Sequence, residues 1–233
     1  MKGLFSYDSP VMQILMYIGD LIILNFIYLI CCVPVFTIGA AQAGMYTAMR
    51  VLNDKEDDSS VSAAFFRGFA NGFGKVTLGW GLLSLALVLV GVAAALGYAF
   101  GLPMWISIVS FCVAALFHSL VPAFHSRFGC TAMQLIRNSW FLAVAHPLRS
   151  LGVTALLWLP VVLFLTNTNL FMMATPVWGT LYFSTAFLFA ELLLRKPFKT
   201  LVDDFNEKHP PQPEEGAEEE SLPEKIFSDT PVD

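Results

Sequence analysis

"VPVFTIGAAQAGMYTAM", Val33 to Met49, leaves a long apolar run and leads into the acidic cluster "NDKEDD". A soluble helix of this length carries charge on one face, yet this stretch has none before Arg50. Pro34 cannot continue a helix, because its ring removes an N–H and blocks the preceding turn. Thr37 is placed to act as the N-cap of a new helix. Along that helix Ala40, Gly44 and Ala48 recur every four residues, with Gly39 and Ala43 beside them. Rows of small residues let helix backbones approach closely where lipid supplies no hydrophobic drive. Residues 37–52 are therefore expected to pack on the inner face of a membrane bundle, being too short to cross.

Composition agrees with that setting. The chain of 233 residues is 56% hydrophobic and 13% charged, with a mean hydropathy of +0.66. Soluble domains carry about a quarter charged residues. The net charge of −5 is concentrated at one end: residues 206–233 hold nine acids against two lysines, and the rest is slightly basic. No basic face interleaved with aromatics occurs, which gives nucleic-acid binding no support. Cys31, Cys32, Cys112 and Cys130 lack CxxC spacing or a disulfide framework and read as small core hydrophobes. "AQA" at 41–43 has the form of a signal cleavage site. The apolar run from Val11 to Phe36 is about twice a signal h-region, however, so it reads as an uncleaved span.

Crossing ~30 Å of hydrocarbon takes about 20 mainly apolar residues. Five stretches qualify: 12–36, 77–100, 103–127, 150–167 and 170–195. Turns at Gly101-Leu102-Pro103 and "TNTN" 166–169 make antiparallel pairs of spans two and three and of spans four and five. Without water to bond exposed backbone, such runs must be helices, and none alternates as a barrel strand does. The fold expected is all-α: a polytopic membrane bundle of about five transmembrane helices. Lys and Arg number 1, 4, 0, 3, 0 and 5 in successive segments from the N-terminus, so twelve of thirteen fall on one side. The positive-inside rule then puts the N-terminus outside and the long loops and C-terminus in the cytoplasm.

Residues 59–75 place Phe65, Phe66, Phe69 and Phe73 on one helical side beside Arg67 and Lys75. That suits either a helix lying in the cytoplasmic interface or packing beneath the bundle. Residues 128–149 make a second in-plane stretch, which Pro147 ends. The Glu- and Pro-rich tail cannot bury enough apolar surface to fold. The division expected is thus a membrane domain over 1–205 and a disordered acidic tail over 206–233.

On these residues the chain resembles the YesL family of bacterial membrane proteins, a family of unknown function. The resemblance rests on Asn25, Pro34, Thr37-Ile38-Gly39-Ala40, Ala43 and Met45-Tyr46, then Phe65-Phe66-Arg67, Phe69 and Phe73. It covers residues 10 to 80 by motif and the remainder by hydropathy; Asn71-Gly72-Phe73 departs from a family order with Asn directly before Phe. It implies a bacterial cell membrane and an association with carbohydrate uptake.

No G-x-S-x-G, HExxH or Walker loop is present, and no cofactor or metal is expected. His118 and His125 lie seven apart, whereas helical metal pairs favour three or four. What remains is intramembrane polarity, which is costly in lipid: Asp20, Asn25, His118 and Glu191. Glu191 has Arg195 at i+4 as an ordinary partner. Asn25 and His118 come to similar depth at ~1.5 Å per residue, so they are expected to pair. Two functions follow. One is a non-enzymatic accessory or regulatory component whose partners are the lipid bilayer and either membrane transporter components or further copies of itself. The other is a small carrier or channel whose path is lined by Asp20, Asn25 and His118. Five spans without an internal repeat favour the first.

Overall fold

Ser9 opens the first helix, α1 (Pro10–Cys31), its hydroxyl oxygen accepting the Met12 amide at 3.3 Å. Pro10 occupies the first turn, where a missing N–H has no consequence. The structure is a computed structural model that describes residues 9–54, 60–99, 101, 103–128 and 132–208. It contains no strand among those residues.

Helix α1 ends at Cys31, five residues short of the expected limit, because Pro34 forces the chain before it out of helical geometry. A 3₁₀ turn over Val35–Thr37 precedes α2 (Ile38–Asn53). Thr37 does stand at the N-cap, but its side chain does not cap α2. Its hydroxyl turns back to the carbonyls of Cys31 and Pro34. It thus engages the carbonyl end that α1 leaves open.

Helix α2 crosses α3 (Val61–Gly72) at backbone contact distance. A Cβ added at Gly44 would stand 2.8 Å from the Phe65 carbonyl oxygen, and one at Gly68 would stand 3.0 Å from the Gly44 Cα. Gly72 faces Ala43 at the same crossing. Gly39 meets the Trp80 side chain of the next helix. The phenylalanines of α3 do not share one side: Phe65 is fully buried on α2, while Phe66 and Phe73 are about half exposed.

Helices α4 (Lys75–Ala99) and α5 (Met104–His125) form a hairpin whose turn contains Gly101 at φ +81, a conformation that side chains rarely adopt. Helix α6 (Ala132–Ala145) follows, and Pro147 then begins α7 (Pro147–Thr166) at its first turn. Asn167 caps the short α8 (Thr168–Met173) by accepting the Leu170 amide at 3.1 Å. The last long helix runs through α9 (Thr175–Val177), a π turn at Trp178–Tyr182 and α10 (Phe183–Lys208).

Among the described residues five helical stretches are long and apolar enough to cross a membrane: Val11–Cys31, Lys75–Ala93, Ile108–His125, Pro147–Thr166 and Thr175–Asp203. The α5 stretch is 44% buried against 22% for α1, α4 and α7, and α5 touches α2, α4, α6 and α7. It is the centre of the packing. Ile14, Leu15, Leu82, Leu85, Leu89 and Leu165 are more than half exposed. So much contiguous apolar surface is the mark of lipid contact. This is a multi-pass helical membrane fold. The chain divides into two compact units, Met1–Pro197 and Phe198–Asp233. The described part of the second is the end of α10, and the acidic tail beyond Lys208 lies outside the described residues.

Three of the four cysteines are described, and they are not core residues. Cys31 and Cys32 are half-buried and Cys112 is exposed on the apolar surface of α5. Burial pushes the Cys32 thiol up to about 12.

Candidate functional site

Asn25 is fully buried in α1. Its side-chain amide faces the π turn of the last span, where a wide turn disturbs the regular backbone ladder. Nδ2 donates to the carbonyls of Trp178 at 3.2 Å and Gly179 at 2.8 Å. Oδ1 accepts the amides of Phe183 at 3.0 Å and Ser184 at 3.2 Å. A side-chain amide has two N–H donors and two acceptor lone pairs, so all four are used. Asn25 completes a helix to which it does not belong. The same segment is held to α7 by Tyr182, whose hydroxyl donates to the Leu156 carbonyl at 2.6 Å.

The expected Asn25–His118 pair is therefore not formed. Equal depth says nothing about which helices are neighbours, and the two residues face different ones. His118 Nε2 lies 3.1 Å from the Ser84 hydroxyl on α4. Ser84 donates its own proton to the Trp80 carbonyl at 2.9 Å, so its oxygen accepts the N–H from His118. The imidazole lies between Trp80 and Trp158, with ring centroids at 4.5 and 5.5 Å.

Glu191 is buried and pairs with Arg127, just beyond the end of α5, instead of with Arg195 on its own helix. Burial pushes the Arg127 guanidinium down, Glu191 holds it up, and Arg50 and Arg195 lower it again. Tyr46 is buried beside this pair, edge-on to Phe187 at 5.0 Å. Its hydroxyl is raised by burial and then by the charge of Glu191. Asp20 is half-buried on α1, and among the described residues no hydrogen bond or ion pair engages it. The helix-packing residues Gly39, Ala40, Ala43, Gly44 and Ala48 are all buried in α2.

Beside His118 a cleft of about 550 Å³ opens between α1, α2, α4, α5, α7 and the start of α10. Its walls are aromatic, with Tyr28, Trp80 and Trp158, and Gln42, Ser84 and His118 add polar groups. Gln42 Oε1 and Trp80 Nε1 are enclosed without a partner, one acceptor and one donor left over. Such a space suits a small, largely apolar molecule with a polar group. Among the described residues no three His, Cys, Asp or Glu side chains gather as metal ligands would.

Three features escape the sequence reading. Arg127, one of the three bases in the fourth segment, carries no sign in the sequence of its pairing with Glu191. Gly68 and Gly72 repeat the four-residue spacing of α2 on α3, and that signal was available. The π turn leaves a weaker trace, in Pro176 and Gly179 interrupting the last span.

Residues 21–94 match the family described as "Protein of unknown function, DUF624". The match takes in Asn25, the α2–α3 crossing and most of α4, and stops short of the π turn that Asn25 engages. No curated protein and no solved structure matches the chain.

Proposed function

We propose that this is a non-enzymatic component of a bacterial cell membrane that assists or regulates a carbohydrate importer. Its N-terminus lies outside and its C-terminus in the cytoplasm. The observation that carries this reading is the use made of intramembrane polarity. Asn25, His118 and Glu191 are each engaged by another helix or by the segment that closes one, so they serve helix-to-helix adhesion. The resemblance to the YesL family supports the bacterial setting and the link to sugar uptake. The one-sided distribution of Lys and Arg supports the orientation.

The test is purification of the tagged full chain from its native membrane in mild detergent, with identification of what accompanies it. Transporter subunits should copurify, and deletion after Asn206 should weaken that association while leaving the membrane domain folded. Uptake of labelled sugar by liposomes containing this chain alone would sink the accessory reading. That outcome belongs to the second reading, a carrier, which the cleft with Gln42 and Trp80 favours. A carrier should lose such uptake on Gln42→Leu.

A further inference from the structure

We propose that a second pocket, at the junction of α2, α3 and the end of α5, binds a phosphate group. Its volume is about 320 Å³, and its polar lining among the described residues is Thr47, Arg50, Arg67, Asn71, His125 and Ser126, none of them a carboxylate. Thr47 and Arg50 are three apart on α2, and Arg67 and Asn71 are four apart on α3, so each pair lies on one helix face. Two guanidinium groups from facing helices thus share one small space. Arginine presents planar N–H forks that match phosphate oxygens, and such charge-assisted bonds are about twice as strong as neutral ones.

The remaining groups sharpen the preference. The hydroxyls of Thr47 and Ser126 donate to the carbonyls of Ala43 and Ala123, at 2.9 and 2.8 Å, and stay in place as acceptors. His125 Nε2 lies 3.3 Å from the Asn71 carbonyl oxygen, which can only accept, so the ring proton is on Nε2. Nδ1 of the same ring is enclosed with no hydrogen-bond partner. A phosphate monoester carries P–O⁻ acceptors for the arginines and a P–OH donor for such a nitrogen. A lipid phosphodiester offers the acceptors, and in phosphatidylglycerol the headgroup hydroxyls supply the donor. Among the described residues no hydrogen bond or ion pair fixes Arg50, although the charge of Glu191 reaches it from the far side. Phe66 and Phe73, half exposed on α3 alongside, can reach acyl chains while Arg67 meets a headgroup. The phosphate can therefore come from an anionic lipid or from solution.

The experiment uses the full chain in maltoside detergent with two probes. Phosphatidylglycerol, against phosphatidylcholine, is titrated by native mass spectrometry. Inorganic phosphate, against chloride of equal ionic strength, is titrated by thermal unfolding. At least one probe should bind saturably, and Arg50→Gln/Arg67→Gln should weaken it roughly ten-fold or more. Arg137→Gln, an exposed base on α6 outside the pocket, should leave affinity unchanged. Loss in the lipid arm alone assigns a headgroup, loss in the phosphate arm alone a soluble ligand, and loss in both a shared site. Binding of neither probe, equal loss on Arg137→Gln, or unaltered binding by the double variant would overturn the proposal. If the double variant fails to fold, Arg67→Gln alone, on an exposed side chain, must weaken binding several-fold, and unchanged affinity would again overturn it.

Discussion

At the scale of single residues, Asn25, His118 and Glu191 act as fasteners within the spans. Asn25 makes four interhelical hydrogen bonds, and at ~0.6 kcal/mol for each such bond in a membrane, Asn25→Leu should cost about 2 kcal/mol. Unfolding in mild detergent measures this, and a loss below ~0.5 kcal/mol would remove the fastening role. Because Asn25 and His118 share no contact, their losses should add to within ~0.5 kcal/mol in the double variant. Glu191→Leu leaves the Arg127 charge against a buried apolar group and should destabilise by about 3 kcal/mol. Adding Arg127→Leu should recover much of that, since a buried pair can be replaced by apolar groups at small cost. If the second substitution worsens the first, the pair is not what matters. The sequence marks Asp20, Asn25, His118 and Glu191 as unusual, because charge and amide in an apolar run stand out. It does not give their partners, because hydropathy fixes depth along a helix and not the neighbour across it.

At the scale of elements, the α2–α3 crossing depends on missing side chains. Gly44→Ala should lower the melting temperature clearly, since its Cβ meets backbone, which cannot move aside. Gly72→Ala, facing a methyl group at 3.2 Å, should do less. Gly81→Ala has open space around it and should be neutral or stabilising, as alanine is the better helix former. Equal effects at the three positions would refute the packing argument. The α2 half of this contact is readable as small residues at four-residue spacing ahead of any structure. The α3 half is obscured by four phenylalanines, which draw the eye to a lipid-facing side. Phe65 turns inward because the glycines of α2 leave it room.

At the scale of the whole molecule, five apolar stretches give the span count directly, since lipid admits few other solutions. Their ends are less readable, because capping and proline geometry decide them: Pro34 shortens the first and Pro147 opens the fourth. Orientation is the remaining global property, and it carries its own test. In a variant lacking the native cysteines, a cysteine at Asn167 should react with an impermeant reagent in intact cells. One at Asp57 should react only after permeabilisation. Labelling at Asp57 from outside would reverse the topology.

The wide turn in the last span has a rotational consequence. A π turn holds one residue more than the helix around it, and each residue of an α-helix advances about 100° around the axis. Everything beyond Tyr182 is therefore turned by that angle relative to an uninterrupted helix. Glu191, Phe187 and Ala190 are buried in this turned phase. Asn25, bonded to both edges of the turn, sets that phase from another helix. A single amide near the start of the chain thus aims a carboxylate more than 160 residues later, and the two ends of the membrane domain are geared together through it.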